Sequence, residues 1–268
     1  MRVALSKRPK KDGPGLIYIL VALVVVAVAG ARFLGFSPSR GDGPPPPRQE
    51  GYPGPMQPED SRVLPRPSQM TEVLIYHTHT SENYSPSEPH ARGEAGDVVA
   101  VGRALVEALR EQGVGAVHVL TVHDLPDWSG AVARARQSVQ EALNRHNGIR
   151  AVVDLHRDAL PDQGVTGYAS AQIDGEEVAK ILLIVGTSDN SRVDANMRYA
   201  ERLKERLEEV APGITRGVRV MPRATNGDLH DNHVTVYVGD YRDNTLQEAV
   251  ASARWLAMAI AELLKEDG

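Results

Sequence analysis

Two short segments hold the residues whose types and spacing could do chemistry. Tyr76-His77-Thr78-His79-Thr80-Ser81-Glu82 carries imidazoles at i and i+2 and a carboxylate three residues later. Asp154-Leu155-His156-Arg157-Asp158 carries a third imidazole among acids. Imidazole and carboxylate are what a zinc site without Cys needs, and a catalytic zinc takes three protein ligands with a fourth position open for water. Water held there titrates near neutral pH and can attack an amide carbonyl polarised by the same ion. His90, His118, His123, His146, His230 and His233 lack such company. His118 reads as a strand residue and His146 as a helix-end charge. His230 and His233 either line the site or cap a loop.

The chain excludes much else. It has no Cys, so a thiol nucleophile, a disulfide framework and any Cys-ligated metal are ruled out. Its formal net charge is −5, the wrong sign for a nucleic-acid binder. Aromatic residues make up 4%, too few for a stacking platform. No G-x-S-x-G elbow, phosphate loop or H-E-x-x-H motif is present.

Both segments follow short apolar runs, Glu72–Tyr76 and Ala151–Leu155, which read as buried strands. Further strands are predicted at 116–120, 180–185 and 234–238. Helices are predicted at 97–112, 131–147, 194–210 and 245–264. The first helix carries an apolar stripe at 98, 101, 105, 108 and 109, and Gly113 follows it as a C-terminal cap. Thr245-x-x-Glu248 opens the last with a capping-box pattern. Strands alternating with helices imply an α/β fold, a mostly parallel sheet flanked by helices. In such sheets ligands collect at the carboxyl ends of strands, where both His segments fall.

The remainder of the chain divides into three pieces. Residues 1–14 form a basic tail, five Lys and Arg against Asp12. Gly15–Ala31 runs 17 residues without a charge, and Phe33 and Leu34 lengthen it, so 15–34 is expected to span a membrane. The positive-inside rule then puts residue 1 in the cytoplasm and the rest of the chain outside. A cleaved signal peptide is the rival reading, with small residues at 28–31 as its cleavage site. Residues 35–70 hold 10 of the chain's 18 Pro and are expected to be an extended linker, leaving 71–268 as the folded domain.

The segments IYHTHTSENY (75–84), DVVAVGRAL (97–105), VVDLHRDAL (152–160), PGITRGV (212–218) and VGDYRDNTLQEA (238–249) together resemble the stage II sporulation protein P family. The resemblance covers about residues 71–265. It implies a membrane-anchored, zinc-dependent N-acetylmuramoyl-L-alanine amidase of spore-forming bacteria. Such an enzyme cleaves the amide between N-acetylmuramic acid and L-Ala in peptidoglycan, here with an added cross-link endopeptidase activity. It implies wall-remodelling partners during engulfment, a transglycosylase and a second membrane protein. Carried onto this sequence, the zinc ligands are His79, Glu94 and His156. Glu82 competes with Glu94, and His77 less strongly with His79.

One departure stands out. Such amidases end their last strand with a catalytic Glu, and here Tyr237 takes that place, with Asp240 the nearest acid. Either Asp240 or an N-terminal acid such as Glu82 serves as catalytic base, or the chain binds wall material with little hydrolysis. A different metal hydrolase on the same fold, such as a carboxypeptidase, is the third reading.

Overall fold

The structure, a computed structural model, describes residues 70–161 and 167–268. The expected tail, membrane helix and linker as far as residue 69 lie outside the described residues. Among the described residues no helix is long and apolar enough to cross a membrane.

Runs of Val, Ile and Leu become strands because β-branched side chains pack well on a pleated surface. Five such runs are β1 (Thr71–Tyr76), β2 (Gly115–His118), β3 (Ala151–Asp158), β6 (Ile181–Gly186) and β8 (His233–Asp240). β7 (Thr215–Met221) completes a six-stranded sheet in the order β2-β1-β3-β8-β6-β7. Neighbours are parallel except β6 and β8, which run antiparallel. A separate hairpin joins β4 (Ser170–Ile173) and β5 (Glu176–Ala179). The helices are α1 (Val98–Glu111), α2 (Ala131–Arg145), α3 (Val193–Val210) and α4 (Leu246–Glu266), with a 3₁₀ turn at Gly227–Leu229. The fold is thus α/β with a mostly parallel sheet between helices. The capping box of α4 forms in full: Thr245 Oγ1 accepts from the Glu248 N–H, and Glu248 accepts from the Thr245 N–H at 2.8 Å.

The period of two along each strand sorts its side chains between two faces. Val73, Ile75, Val153, Leu155, Leu183 and Val236 join one cluster with α1, α3 and α4. Leu74, Tyr76 and Val152 join a smaller cluster with α2. Among the described residues, three helices therefore cover one face and α2 alone meets the other. On that second face Asp154 pairs in register with Thr235, and His156 with Tyr237. Farther along the same rows lies Ile184, opposite both Thr235 and Arg219. These side chains border open cavities instead of a helix. β1 has β2 on one side and β3 on the other, so the chain reverses its order there. The reversal point of such a sheet is where ligands are expected to bind.

Candidate metal centre

His79, Glu82 and His156 come together at this point, with one ligand atom from each within 4.8 Å of the others. β3 delivers His156, and the loop leaving β1 delivers the other two. Glu82 and His156 are buried, and His79 is half-buried. The His79 ring stacks on Trp128, centroids 3.8 Å apart and planes within 11°, and meets His156 edge-on at 5.2 Å.

Both nitrogens of His156 face carboxylates. Nδ1 lies 3.0 Å from Glu82 Oε2, and Nε2 lies 2.9 Å from Asp154 Oδ1. Asp154 is itself fixed, accepting from the Thr78 N–H and hydroxyl, each at 2.8 Å. Carboxylate behind imidazole is the arrangement that orients metal-binding histidines. Burial opposes charge on His156, but Asp154 and Glu82 overcome it and hold its pKa well above the ordinary imidazole value. Burial likewise opposes charge on Glu82, and the field of His156, its hydrogen bond and Arg157 hold that carboxyl below its ordinary value. His79 is pushed the other way, to about 4, by burial and by His156. Two buried carboxylates thus flank one imidazole, with the Arg157 guanidinium 4.0 Å from Glu82. The donors are hard oxygen and borderline nitrogen, a set that fits zinc.

Backbone packing holds Glu82 in place. Ser81 is pinned by Asp124, whose Oδ2 accepts its N–H at 3.0 Å and its hydroxyl at 2.6 Å. The Gly96 N–H donates to Thr80 O at 2.8 Å, and a Cβ on Gly96 would press into the carbonyl oxygens of Ser81 and Glu82. Glycine is required there because the two backbones touch.

The sequence-expected residues separate as follows. His79 and His156 meet. Of the two competing carboxylates, Glu82 joins them. Glu94 is exposed and lines a different cavity of about 560 Å³, because the loop folds back on itself at Gly96 and turns Glu94 outward. Glu94 thus stands apart from the His79–Glu82–His156 group. His77 turns to the opposite face: its Nδ1 meets Leu155 O at 2.7 Å and its Nε2 meets His118 at 2.7 Å. Asp240 stands apart from the group as well. Its Oδ2 accepts the Leu160 N–H at 2.6 Å and its Oδ1 the Arg242 N–H at 2.9 Å, so the carboxylate closes the loop after β8. It borders neither cavity beside the His–Glu–His group. His233 is buried against the Tyr76 hydroxyl at 2.9 Å, and His230 Nδ1 caps the Asn232 N–H at 3.0 Å.

Tyr237 does stand at the site. Its ring centroid is 5.7 Å from that of His156, and its hydroxyl accepts a hydrogen bond from Arg223. Sequence reasoning assigned no role to Asp154, Trp128, Arg219 or Arg223. Asp154 was findable, since it lies two residues before His156 and so on the same strand face. Trp128 sits in an irregular loop with no pattern to mark it.

The chain is 28% identical over 208 residues to stage II sporulation protein P of Bacillus subtilis (strain 168), a match covering 71% of this chain and 50% of the relative. The chain thus spans about half the length of that curated relative. Among solved structures, the N-acetylmuramoyl-L-alanine amidase AmiC2 of Nostoc punctiforme aligns at 17% identity and TM-score 0.46, covering 73% of this chain and 96% of its own. The CwlD amidase of Clostridioides difficile, solved with the GerS lipoprotein, aligns at 12% identity and TM-score 0.47, covering 74% and 100%. The family model described as stage II sporulation protein P (SpoIIP) matches residues 50–261. With most of the folded domain and both His segments inside that match, the chain belongs to the stage II sporulation protein P family.

Proposed function

We infer that this protein is a zinc-dependent peptidoglycan hydrolase of sporulation, cutting the amide between N-acetylmuramic acid and the L-Ala of the stem peptide. Peptide cross-links are a second target. The observation that carries this reading is the convergence of His79, Glu82 and His156 with Asp154 behind His156. His79, Glu82 and His156 would hold zinc. Bound there, the ion supplies a Lewis acid for the carbonyl and lowers the pKa of its water.

The chain's own residues do the rest. Asp154 fixes the His156 ring and keeps a proton on Nε2. Trp128 packs on His79 and limits its rotation. The Tyr237 hydroxyl, which accepts from Arg223, keeps its own O–H as a donor to negative charge that develops on the carbonyl oxygen, the role of an oxyanion site.

In this reading residues 1–14 are cytoplasmic, 15–34 span the cell membrane once, 35–70 form the stalk, and 71–268 act outside on the wall. A transglycosylase and a second membrane protein are the expected partners. The test is to incubate the zinc-loaded full chain with purified sacculi. New L-Ala amino termini should appear, and His156→Ala should abolish them. Failure to bind zinc would end this reading.

Tyr237 favours a second reading, a tethered wall-binding protein. It predicts that the zinc-loaded chain binds sacculi and releases no peptide, and that Tyr237→Glu gains hydrolysis.

A further inference from the structure

The His–Glu–His group stands between two cavities that share His79, Trp128, Arg223 and Tyr237. The cavities differ in charge. One, about 330 Å³, is bordered by the hydroxyl-bearing residues Thr78, Ser129, Thr225 and Thr235. The other, about 350 Å³, lies over β6 and β7 and is bordered by three arginines.

Arg157 is already engaged. It is buried, lies 4.0 Å from Glu82, and donates to Asn83 O at 3.1 Å and Pro89 O at 2.7 Å. Arg219 and Arg223 differ from it. Among the described residues neither has a carboxylate partner. Arg223 donates to the Tyr237 hydroxyl, and its guanidinium carbon lies 5.6 Å from the centre of that ring. Arg219 is exposed and stands opposite Ile184, in the row that continues to Thr235. Among the described residues, the one other acid bordering this cavity beside Glu82 is Asp158. Its Oδ2 is taken by Arg216 at 2.9 Å and its Oδ1 by the Ala159 N–H at 2.8 Å.

Two guanidinium groups without anions therefore face one cavity beside the proposed cleavage point. Guanidinium is planar and pairs with carboxylate through parallel N–H bonds. In the proposed substrate the acids lie on one side only. The lactyl carboxyl of the sugar is consumed in the scissile amide, whereas the peptide carries free carboxyl groups beyond its alanine.

We propose that Arg219 and Arg223 form a subsite for a carboxylate of the stem peptide. The peptide then lies over β6 and β7, and the sugar lies in the hydroxyl-lined cavity. This rests on the peptidoglycan reading above, and its test is independent of turnover.

The probes are the dipeptide L-Ala-D-Glu and its diamide, neither of which contains the bond to be cut. Each is titrated calorimetrically into the zinc-loaded full chain. The acid should bind about tenfold or more tighter than the diamide, the scale of one charge-assisted hydrogen bond. Arg219→Ala and Arg223→Ala should each remove most of that preference, and Arg219→Lys should restore part of it. Arg198→Ala, on the exposed side of α3 and bordering neither cavity, should keep it. Equal affinity for acid and diamide would overturn the subsite, as would an equal loss in Arg198→Ala or no binding of either probe. Failure of hydrolysis on sacculi, with the acid preference intact, would strike the cleavage reading and leave the subsite standing.

Discussion

Asp154 and His233 show how single residues set the chemistry of this face. Asp154 is not itself one of the proposed ligands, yet it holds the His156 ring and receives two hydrogen bonds from Thr78. Asp154→Asn keeps the shape and removes the charge. It should weaken zinc affinity about 10- to 100-fold, the usual effect of losing such a partner, read by competition with a chelator. Circular dichroism should be unchanged. His233 makes a pH prediction. Burial lowers its pKa to about 4, with His230 adding to the effect and Asp154 and Asp228 opposing it. The unfolded chain takes up this proton near pH 6.5 and the folded protein does not until about 4. The unfolded state thus binds more protons in that window, so stability is full above pH 6.5 and falls as pH drops through it. One such group contributes a slope of up to about 1.4 kcal/mol per pH unit. His233→Gln should flatten the fall in urea midpoint between pH 7 and pH 4.5. An unchanged slope would place the acid sensitivity elsewhere. At this scale the sequence was partly legible. His79 and His156 were findable because each follows an apolar strand run, and the carboxyl ends of such strands converge in a parallel sheet. Glu82 against Glu94 was not, because the choice depends on how a loop folds back.

At the scale of elements, the loop from 77 to 97 does most to build the site. It leaves β1, drops Glu82 beside His156, and returns to start α1. Gly96 is the point where it closes on itself. Gly96→Ala should therefore push the Ser81–Glu82 backbone away. Zinc affinity should fall well before the fold is lost, so thermal melting of the metal-free protein should change less than metal binding does. A variant that binds zinc normally would show that the loop yields freely. The regular elements were largely legible: the β3, β6 and β8 runs, the four helices and the Thr245–Glu248 cap all declare themselves by period or spacing. The β4–β5 hairpin and β7 did not. Their strands are half polar, and Arg216, Gly217 and Arg219 in β7 break any alternation of apolar residues. The antiparallel β6–β8 pair was illegible on different grounds, since a strand's direction leaves no mark on its own residues.

At the scale of the whole molecule, a basic tail, an apolar run and a Pro-rich stretch precede in sequence a folded unit that carries the His79–Glu82–His156 group at one sheet face. The proposed topology predicts that the full chain resists alkaline carbonate extraction from membranes. A chain lacking residues 1–34 should be released. Protease added to intact protoplasts should digest the domain from outside. Release of the full chain by carbonate would refute the anchor. The expected division of the chain rests on composition, which changes sharply at its borders, whereas the placement of the site at the order reversal of the sheet needed the strand pairings. One contact carries a practical consequence. The chain has two tryptophans. Trp255 is 8% exposed in the core, and Trp128 is 47% exposed with one ring face laid on His79. The protein therefore contains its own optical gauge: intrinsic emission from Trp128 reports the state of the two imidazoles packed on it, His79 face-on and His90 edge-on at 4.8 Å, and a dye or label is unnecessary. Quenching by acrylamide separates its signal from that of Trp255, and loading with metal should shift the exposed component alone.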